Sequence, residues 1–203
     1  MQKNEIIYGI HASLAALNNG QRKVIEWHCT QEVLSKIKLR IKNNSIPKCK
    51  IVERNYIDNK VQNKFHQGII VECKKLFEQD MSQALKNNKS SILILDSLTD
   101  SQNVGAILRS AYLFGINLIF YNEKNSFDIN STLLKSACGA YEKITLIKVM
   151  NINSLIKELQ KKNYWVIGLD SSSKSKLTEI PKEVNKVIVL GSESRGIRSL
   201  IKK

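Results

Sequence analysis

Residues 92–111 read ILILDSLTDSQNVGAILRSA, and this stretch decides the fold. Ile92–Leu95 is a continuous apolar run, as expected of a strand covered on both faces of a parallel sheet. From Gln102 to Phe114, apolar residues at 104, 107, 108, 111 and 114 recur at helical spacing. A buried strand that passes through a short polar loop into a helix is one unit of an open parallel sheet. Such sheets bind ligands beyond the carboxyl ends of their strands, so the loop after Leu95 is the first place to look for chemistry.

Asp100 or Ser101 is placed to cap the helix, and Asn103 lies in its first turn, close to the crevice. Gly105 stands inside the helix, where it costs about 1 kcal/mol relative to Ala. A position without a side chain there lets something approach closely. Arg109 is four residues further on the same face, and helical side chains lean toward the N-terminus. Its guanidinium is expected to reach over Gly105 toward the crevice, where it would make sense beside an anion such as an RNA phosphate. The bland alternative is a surface Arg and a tolerated Gly.

Working outward, the alternation continues toward the C-terminus. Strands are expected at Leu118–Tyr121, Ile144–Val149, Tyr164–Leu169 and Val187–Leu190, and helices at Ser131–Cys138 and Ile152–Lys162, with a further helix begun at Ile197–Lys203. The last strand runs into Gly191-Ser-Glu-Ser-Arg-Gly196, a tight loop whose backbone groups can touch a ligand. Its bland reading is a strand-to-helix turn with an exposed Glu193. Neither loop is a dinucleotide-binding GxGxxG, and neither carries the Gly-Lys-Ser/Thr of a phosphate-binding P-loop.

Toward the N-terminus a second α/β alternation appears. Helices are expected at Gly9–Leu17, Val33–Ile41 and Tyr56–Val61, and strands at Val24–Cys29, Lys50–Val52 and Gly68–Cys73. Residues 76–90 are polar and read as a linker with a short helix at Ser82–Lys86. The resulting division is 1–75, a linker at 76–90, and 91–203.

The formal net charge is +14, and both parts share it. Residues 1–76 hold 14 Lys and Arg against 6 Asp and Glu, whereas residues 77–203 hold 18 against 12. A polyanionic partner, nucleic acid above all, explains such an excess; compositional drift toward Lys, Asn and Ile is the alternative. Arg is scarce beside Lys, which favours phosphate contact over base-edge readout. No stretch approaches the ~20 apolar residues of a membrane span, the N-terminus does not read as a signal peptide, and a cytoplasmic location is expected. Cys29, Cys49, Cys73 and Cys138 are widely spaced and read as reduced core residues. No metal site is expected, since neither they nor His11, His28 and His66 have ligand spacing.

Taken together the loops are more specific than either alone. The chain resembles the SpoU family of the SPOUT methyltransferase superfamily. One family motif, D-x-x-N-x-G-A-I-x-R-x-A, is matched at Asp100, Asn103, Gly105, Ala106, Ile107, Arg109 and Ala111, and a second, L-G-x-E-x-x-G, at Leu190, Gly191, Glu193 and Gly196. Lys135-Ser-Ala-Cys-Gly-Ala140 is similar to the family's K-x-x-x-G-A segment. Tyr8-Gly-Ile-His-Ala12 and His66-Gln-Gly-Ile69 resemble the small domain attached to the bacterial ribosomal-RNA branch. Ser101 stands where the family commonly has Pro, and Ser194 where it commonly has Gly.

The resemblance implies an N-terminal substrate-binding domain, ribosomal protein L30e-like, and a parallel-sheet SPOUT methyltransferase domain with a C-terminal knot. It implies transfer of the methyl group of S-adenosylmethionine to a ribose 2′-hydroxyl, with guanosine in 23S ribosomal RNA as the expected substrate and tRNA as the alternative. Asn103, Arg109 and Glu193 are the catalytic residues it points to, and Leu169 and Gly191 the cofactor-binding ones. A guanidinium suits holding a phosphate and stabilising a developing alkoxide better than removing a proton. A homodimer is expected. The resemblance further implies a third stretch, like I-P-M…S-L-N-V-S-V-A, beyond the second motif. Lys203 is the last residue here, so the knot region is expected to be incomplete, and an inactive RNA-binding fragment or one half of a split protein is the competing reading.

Overall fold

The computed structural model describes residues 4–62, 65–77, 79–88, 91–170, 172–173, 175–181, 184–193 and 196–198. In chain order the elements are β1 (Asn4–Tyr8), α1 (Ile10–Asn18), β2 (Val24–Cys29), α2 (Gln31–Ile37), β3 (Lys50–Ile51), α3 (Arg54–Lys60), β4 (Ile69–Lys74) and α4 (Met81–Asn87). There follow β5 (Ile92–Leu95), α5 (Ser101–Leu113), β6 (Leu118–Asn122), α6 (Ser131–Ser136), β7 (Thr145–Val149), α7 (Ile152–Lys161), β8 (Trp165–Gly168) and β9 (Lys186–Leu190). They form two compact units that interleave along the sequence. One comprises Met1–Phe77, Ser101–Arg109 and Ile129–Lys143, and the other Glu78–Asp100, Ser110–Asp128 and Ile144–Lys203.

The first unit is built on a four-stranded sheet in the order β1-β4-β2-β3. β1 and β2 both pair antiparallel with β4, while β3 runs parallel to β2. Strand β1 is not among the expected strands, because its apolar run is only Ile6–Tyr8 and polar Asn4 and Glu5 precede it. Glu5 is nonetheless buried, held by an ion pair with Arg22. Helix α2 starts where Thr30 accepts the Val33 N–H at its side-chain oxygen. It ends at Ile37, short of the expected Ile41, and tightens into a 3-10 turn at Lys38–Arg40. Val33 and Ile37 are buried, but Leu39 is 95% exposed, so the apolar stripe runs out of core to pack on.

The second unit is a five-stranded sheet in the order β7-β6-β5-β9-β8, and every pairing is parallel. All residues of β5 and β6 are buried, which explains why their sequences lack alternation. Helix α7 is capped by Asn151, whose side chain accepts the Ser154 N–H. It presses Ile152, Leu155, Ile156 and Leu159 onto Ile92, Phe120 and Val187 of the sheet. Each such fully buried side chain contributes about 2 kcal/mol. The chain proceeds outward from β5 through β6 to β7, then returns on the other side as β8 and β9. The change of direction falls between β5 and β9, the topological switch point of this sheet.

The elements otherwise fall within a few residues of their expected places. Beyond Arg198 the helix expected over Ile197–Lys203, and the knot region it would lead into, lie outside the described residues. The cysteines need one correction. Cys29 and Cys73 are buried, but Cys49 is only partly so and Cys138 is exposed, because it follows α6 in a turn rather than in the core. Burial raises the Cys73 thiol to about 12.

Candidate active site

The switch point sets two loops side by side. Leu95 and Leu190 are paired at the carboxyl ends of β5 and β9, and the Asp96 N–H donates to the Leu190 carbonyl at 2.8 Å. Both stretches singled out from the sequence therefore leave adjacent strands at one crevice. The Gly191–Gly196 loop folds back on itself, with Ser192 bridging to Gly196 and the Gly196 N–H donating to the Ser192 carbonyl at 2.8 Å. A Cβ on Gly191 would sit 2.1 Å from the Gly196 carbonyl carbon. Glycine is required there by the returning chain. Glu193 is exposed at the tip of this loop. Leu169 follows β8, donates its N–H to the Val189 carbonyl at 3.1 Å and is 37% exposed. Leu169 and Gly191 are thus brought to neighbouring strand ends.

Asp96, immediately after β5, organises this crevice. Asp96 is fully buried. Its carboxylate pairs with Arg198 Nη2 at 2.6 Å and accepts the Arg198 N–H at 3.1 Å. Ser97 adds a hydroxyl contact at 3.2 Å. The signal was visible only as an Asp ending an apolar run; its partner lies 102 positions away.

Asn103 and Arg109 stand on α5, on the part of it that packs into the first unit. Gly105 does permit a close approach, and what approaches is α6. A Cβ there would meet the Leu133 carbonyl oxygen and Ser136 Cβ, both at 2.6 Å. Ser136 clamps the contact through a 2.8 Å bond to the Gln102 carbonyl. Asn103 is half-buried. Arg109 is exposed, and its Nη1 donates to Cys138 Sγ at 3.8 Å. That turn is the K-x-x-x-G-A segment; its Gly139 has φ +91° and lies where a Cβ would be 2.6 Å from Ala15 of α1.

A buried ion cluster in the same unit holds the following 3-10 turn, Ala140–Lys143. Arg22 Nη2 meets Glu142 Oε1 and Nη1 meets Glu5 Oε2, each at 2.6 Å, while the guanidinium lies 5.6 Å from the Tyr141 ring centroid. Burial opposes the charge on Arg22, but Glu142 and Glu5 hold its proton more firmly than usual. The pattern is unreadable from sequence, since its members lie up to 137 positions apart in chains of polar text.

An open parallel sheet with two loops converging at its switch point is a ligand-binding α/β architecture, and in sequence it follows a basic α/β segment. The chain belongs to the SpoU rRNA methylase family: the family's model matches residues 90–203, and that for RNA 2′-O ribose methyltransferase substrate binding matches residues 6–79. Family members are RNA ribose 2′-O-methyltransferases with S-adenosylmethionine as methyl donor. The chain is 32% identical over 210 residues to the 23S rRNA (guanosine-2′-O-)-methyltransferase RlmB of Shewanella oneidensis, covering 98% of this chain and 84% of that one. It is 33% identical over 209 residues to RlmB of Pasteurella multocida, covering 98% and 85%.

Among solved structures, the fold matches the SpoU methyltransferase AviRb of Streptomyces viridochromogenes in complex with AdoMet, with a TM-score of 0.76 at 11% identity over 98% of this chain and 77% of that one. An AdoMet-bound rRNA methyltransferase from Sinorhizobium meliloti matches with a TM-score of 0.73 at 18% identity, over 96% and 73%. The expected cofactor fits the residues present. Leu169, 37% exposed, offers an apolar surface at a strand end next to that of Gly191, which suits the apolar face of an adenosine group. Among the described residues no group of three or more His, Cys, Asp or Glu could hold a metal ion, and no helix is long and apolar enough to cross a membrane.

Proposed function

We propose that this protein methylates the ribose 2′-hydroxyl of a guanosine in 23S rRNA, with residues 1–75 binding the RNA and residues 91–203 carrying the chemistry. The stretches that lead into and carry the two family motifs leave β5 and β9 side by side, with the Asp96 N–H on the Leu190 carbonyl, and this juxtaposition supports the reading most directly. The identity to RlmB over nearly the whole chain supports the substrate.

S-adenosylmethionine supplies an electrophilic methyl group on a sulfonium. Leu169 and the backbone at Gly191 hold it at the strand ends. Arg109, exposed on α5, binds the phosphate beside the target ribose and stabilises the negative charge that develops on the 2′-oxygen. Asn103 orients the RNA or Arg109, and Glu193 positions the loop or a substrate group. The 2′-hydroxyl proton leaves to solvent. Two copies associate in the working enzyme, a reading supported by the exposed apolar residues where α5 ends, Leu113 and the following Phe114, 75% and 83% exposed. The site of action is the cytoplasm.

The test is methyl transfer from labelled S-adenosylmethionine to transcribed 23S rRNA fragments, with tRNA as the control and the modified ribose mapped by its resistance to alkaline cleavage. Arg109→Ala should lower turnover at least a hundredfold while cofactor affinity, read by calorimetry, stays unchanged. Unaltered turnover would remove Arg109 from the mechanism. No cofactor binding and no transfer by the parent chain would overturn the enzyme reading itself.

A further inference from the structure

Phe65 is 67% exposed, yet the residues that follow it are held by hydrogen bonds. His66, next to it, is 1% exposed and tied on both sides: Nε2 lies 2.8 Å from Asp58 Oδ1, and Nδ1 accepts the Gly68 N–H at 3.0 Å. Its carbonyl accepts the Gly9 N–H at 3.2 Å, and Gln67 Oε1 accepts the Ile10 N–H at 3.0 Å. A large apolar ring held out in water costs free energy unless something covers it.

Lys135 stands against this ring. Its ammonium is 4.6 Å from the Phe65 centroid and 5.7 Å from that of buried Tyr8. The Lys135 stem runs past Gly9, where an added Cβ would lie in van der Waals contact at 3.4 Å from Lys135 Cγ. Lys135 also opens the turn against which Arg109 rests: the Cys138 N–H donates to the Lys135 carbonyl at 3.0 Å, and Arg109 donates to Cys138 Sγ. An exposed aromatic face beside an ammonium, one turn from the guanidinium assigned to the reaction, matches what a single-stranded nucleotide needs. A base stacks on an aromatic face, and its phosphate takes the cation.

We propose that Phe65 and Lys135 form a nucleotide clamp for the RNA substrate: a base near the target nucleotide stacks on Phe65, and Lys135 holds its phosphate. The clamp rests on the functional reading above and adds the residues that grip unpaired RNA.

The two residues have separable signatures in RNA binding measured across a KCl series with the parent chain and a labelled 23S rRNA fragment. Phe65→Ala should weaken binding about tenfold with no change in the slope of log affinity against log salt, and Phe65→Tyr should restore it. Lys135→Ala should lower that slope by about one. In transfer assays Phe65→Ala should raise KM with kcat nearly unchanged. Phe65→Trp should be quenched by the RNA beyond the parent's own tryptophan signal, and not by inorganic polyphosphate. Equal affinity and KM for the parent and Phe65→Ala, or equal quenching by polyphosphate, would overturn the clamp while leaving the methyltransferase reading intact. A parent that methylates no RNA would overturn both.

Discussion

Asp96 and Arg198 join the two loops of the crevice: a carboxylate with no solvent exposure meets a guanidinium at 2.6 Å and the same residue's N–H at 3.1 Å. The pair ties the stretch after β5 to the stretch after β9, and so fixes where the Gly191–Gly196 loop lies. Asp96→Ala should weaken S-adenosylmethionine binding about tenfold and lower the melting temperature by about 5 °C, equivalent to about 2 kcal/mol in a chain of this size. Arg198→Ala should cost less, because its side chain is 43% exposed and its N–H bond survives. Calorimetry and thermal melts read both effects; an unchanged cofactor affinity in Asp96→Ala would remove the pair from the site.

Gly105→Ala sets two effects of opposite sign against each other. Helix propensity favours Ala by about 1 kcal/mol. The new methyl would press on the Leu133 carbonyl oxygen and Ser136 Cβ at 2.6 Å, and backbone cannot swing aside as a flexible side chain can. Overpacking of this kind costs about 3 kcal/mol, so the packing term wins and urea melts should show a net loss of about 2 kcal/mol. Gly20→Ala, with nothing within 4 Å of the added methyl, should be neutral or slightly stabilising. Equal behaviour of the two variants would show that α6 does not press on Gly105.

The contrast between these positions also explains what could be read in advance. Strands β5 and β6 were legible because burial on both faces writes an unbroken apolar run, and α7 because Ile152, Leu155, Ile156 and Leu159 repeat at helical spacing. Gly105 was legible as a close approach, but the approaching element was not, since α6 packs there through its backbone. Strand β1 is not legible along the chain because the partner that lets Glu5 enter a strand, Arg22, is 17 positions away. Asp96 ended a visible strand, yet its importance depends on Arg198. Pattern along the chain reports local period and burial; it does not report which distant polar groups meet.

Glu26 supplies a pH signature in the first unit. Lys50 and Lys60 bond its two oxygens at 2.7 and 2.9 Å and hold its carboxyl down to about 2, below its ordinary 4.5. A carboxylate with a lowered folded value adds stability above the unfolded value, and that stability fades as pH falls toward the folded one. The difference in unfolding free energy between parent and Glu26→Gln should therefore be constant above about pH 5 and shrink steadily between 4.5 and about 2. Urea melts over that range test it. A difference that does not change with pH would mean the lysines do not favour the charged form.

The two carboxylates on Arg22 should behave in opposite ways. Glu142 engages the guanidinium through both Nε and Nη2, and its side chain is 2% exposed. Glu5 uses one oxygen only; its Oε1 has no hydrogen-bond partner, and burial outweighs the neighbouring Arg22 to push its carboxyl above the usual 4.5. A raised folded value gives stability that is full below the unfolded value and is lost as pH rises past the folded one. At neutral pH the charged Glu5 is therefore a cost, while Glu142 supplies the main compensation for a buried cation. Glu142→Gln should destabilise by about 3 kcal/mol. Glu5→Gln should be neutral or stabilising at pH 7 and lose that advantage on acidification through the unfolded value of 4.5. Unfolding of both single variants and the double variant at the two ends of this range separates the contributions, and equal losses from both singles at neutral pH would refute the unequal partnership.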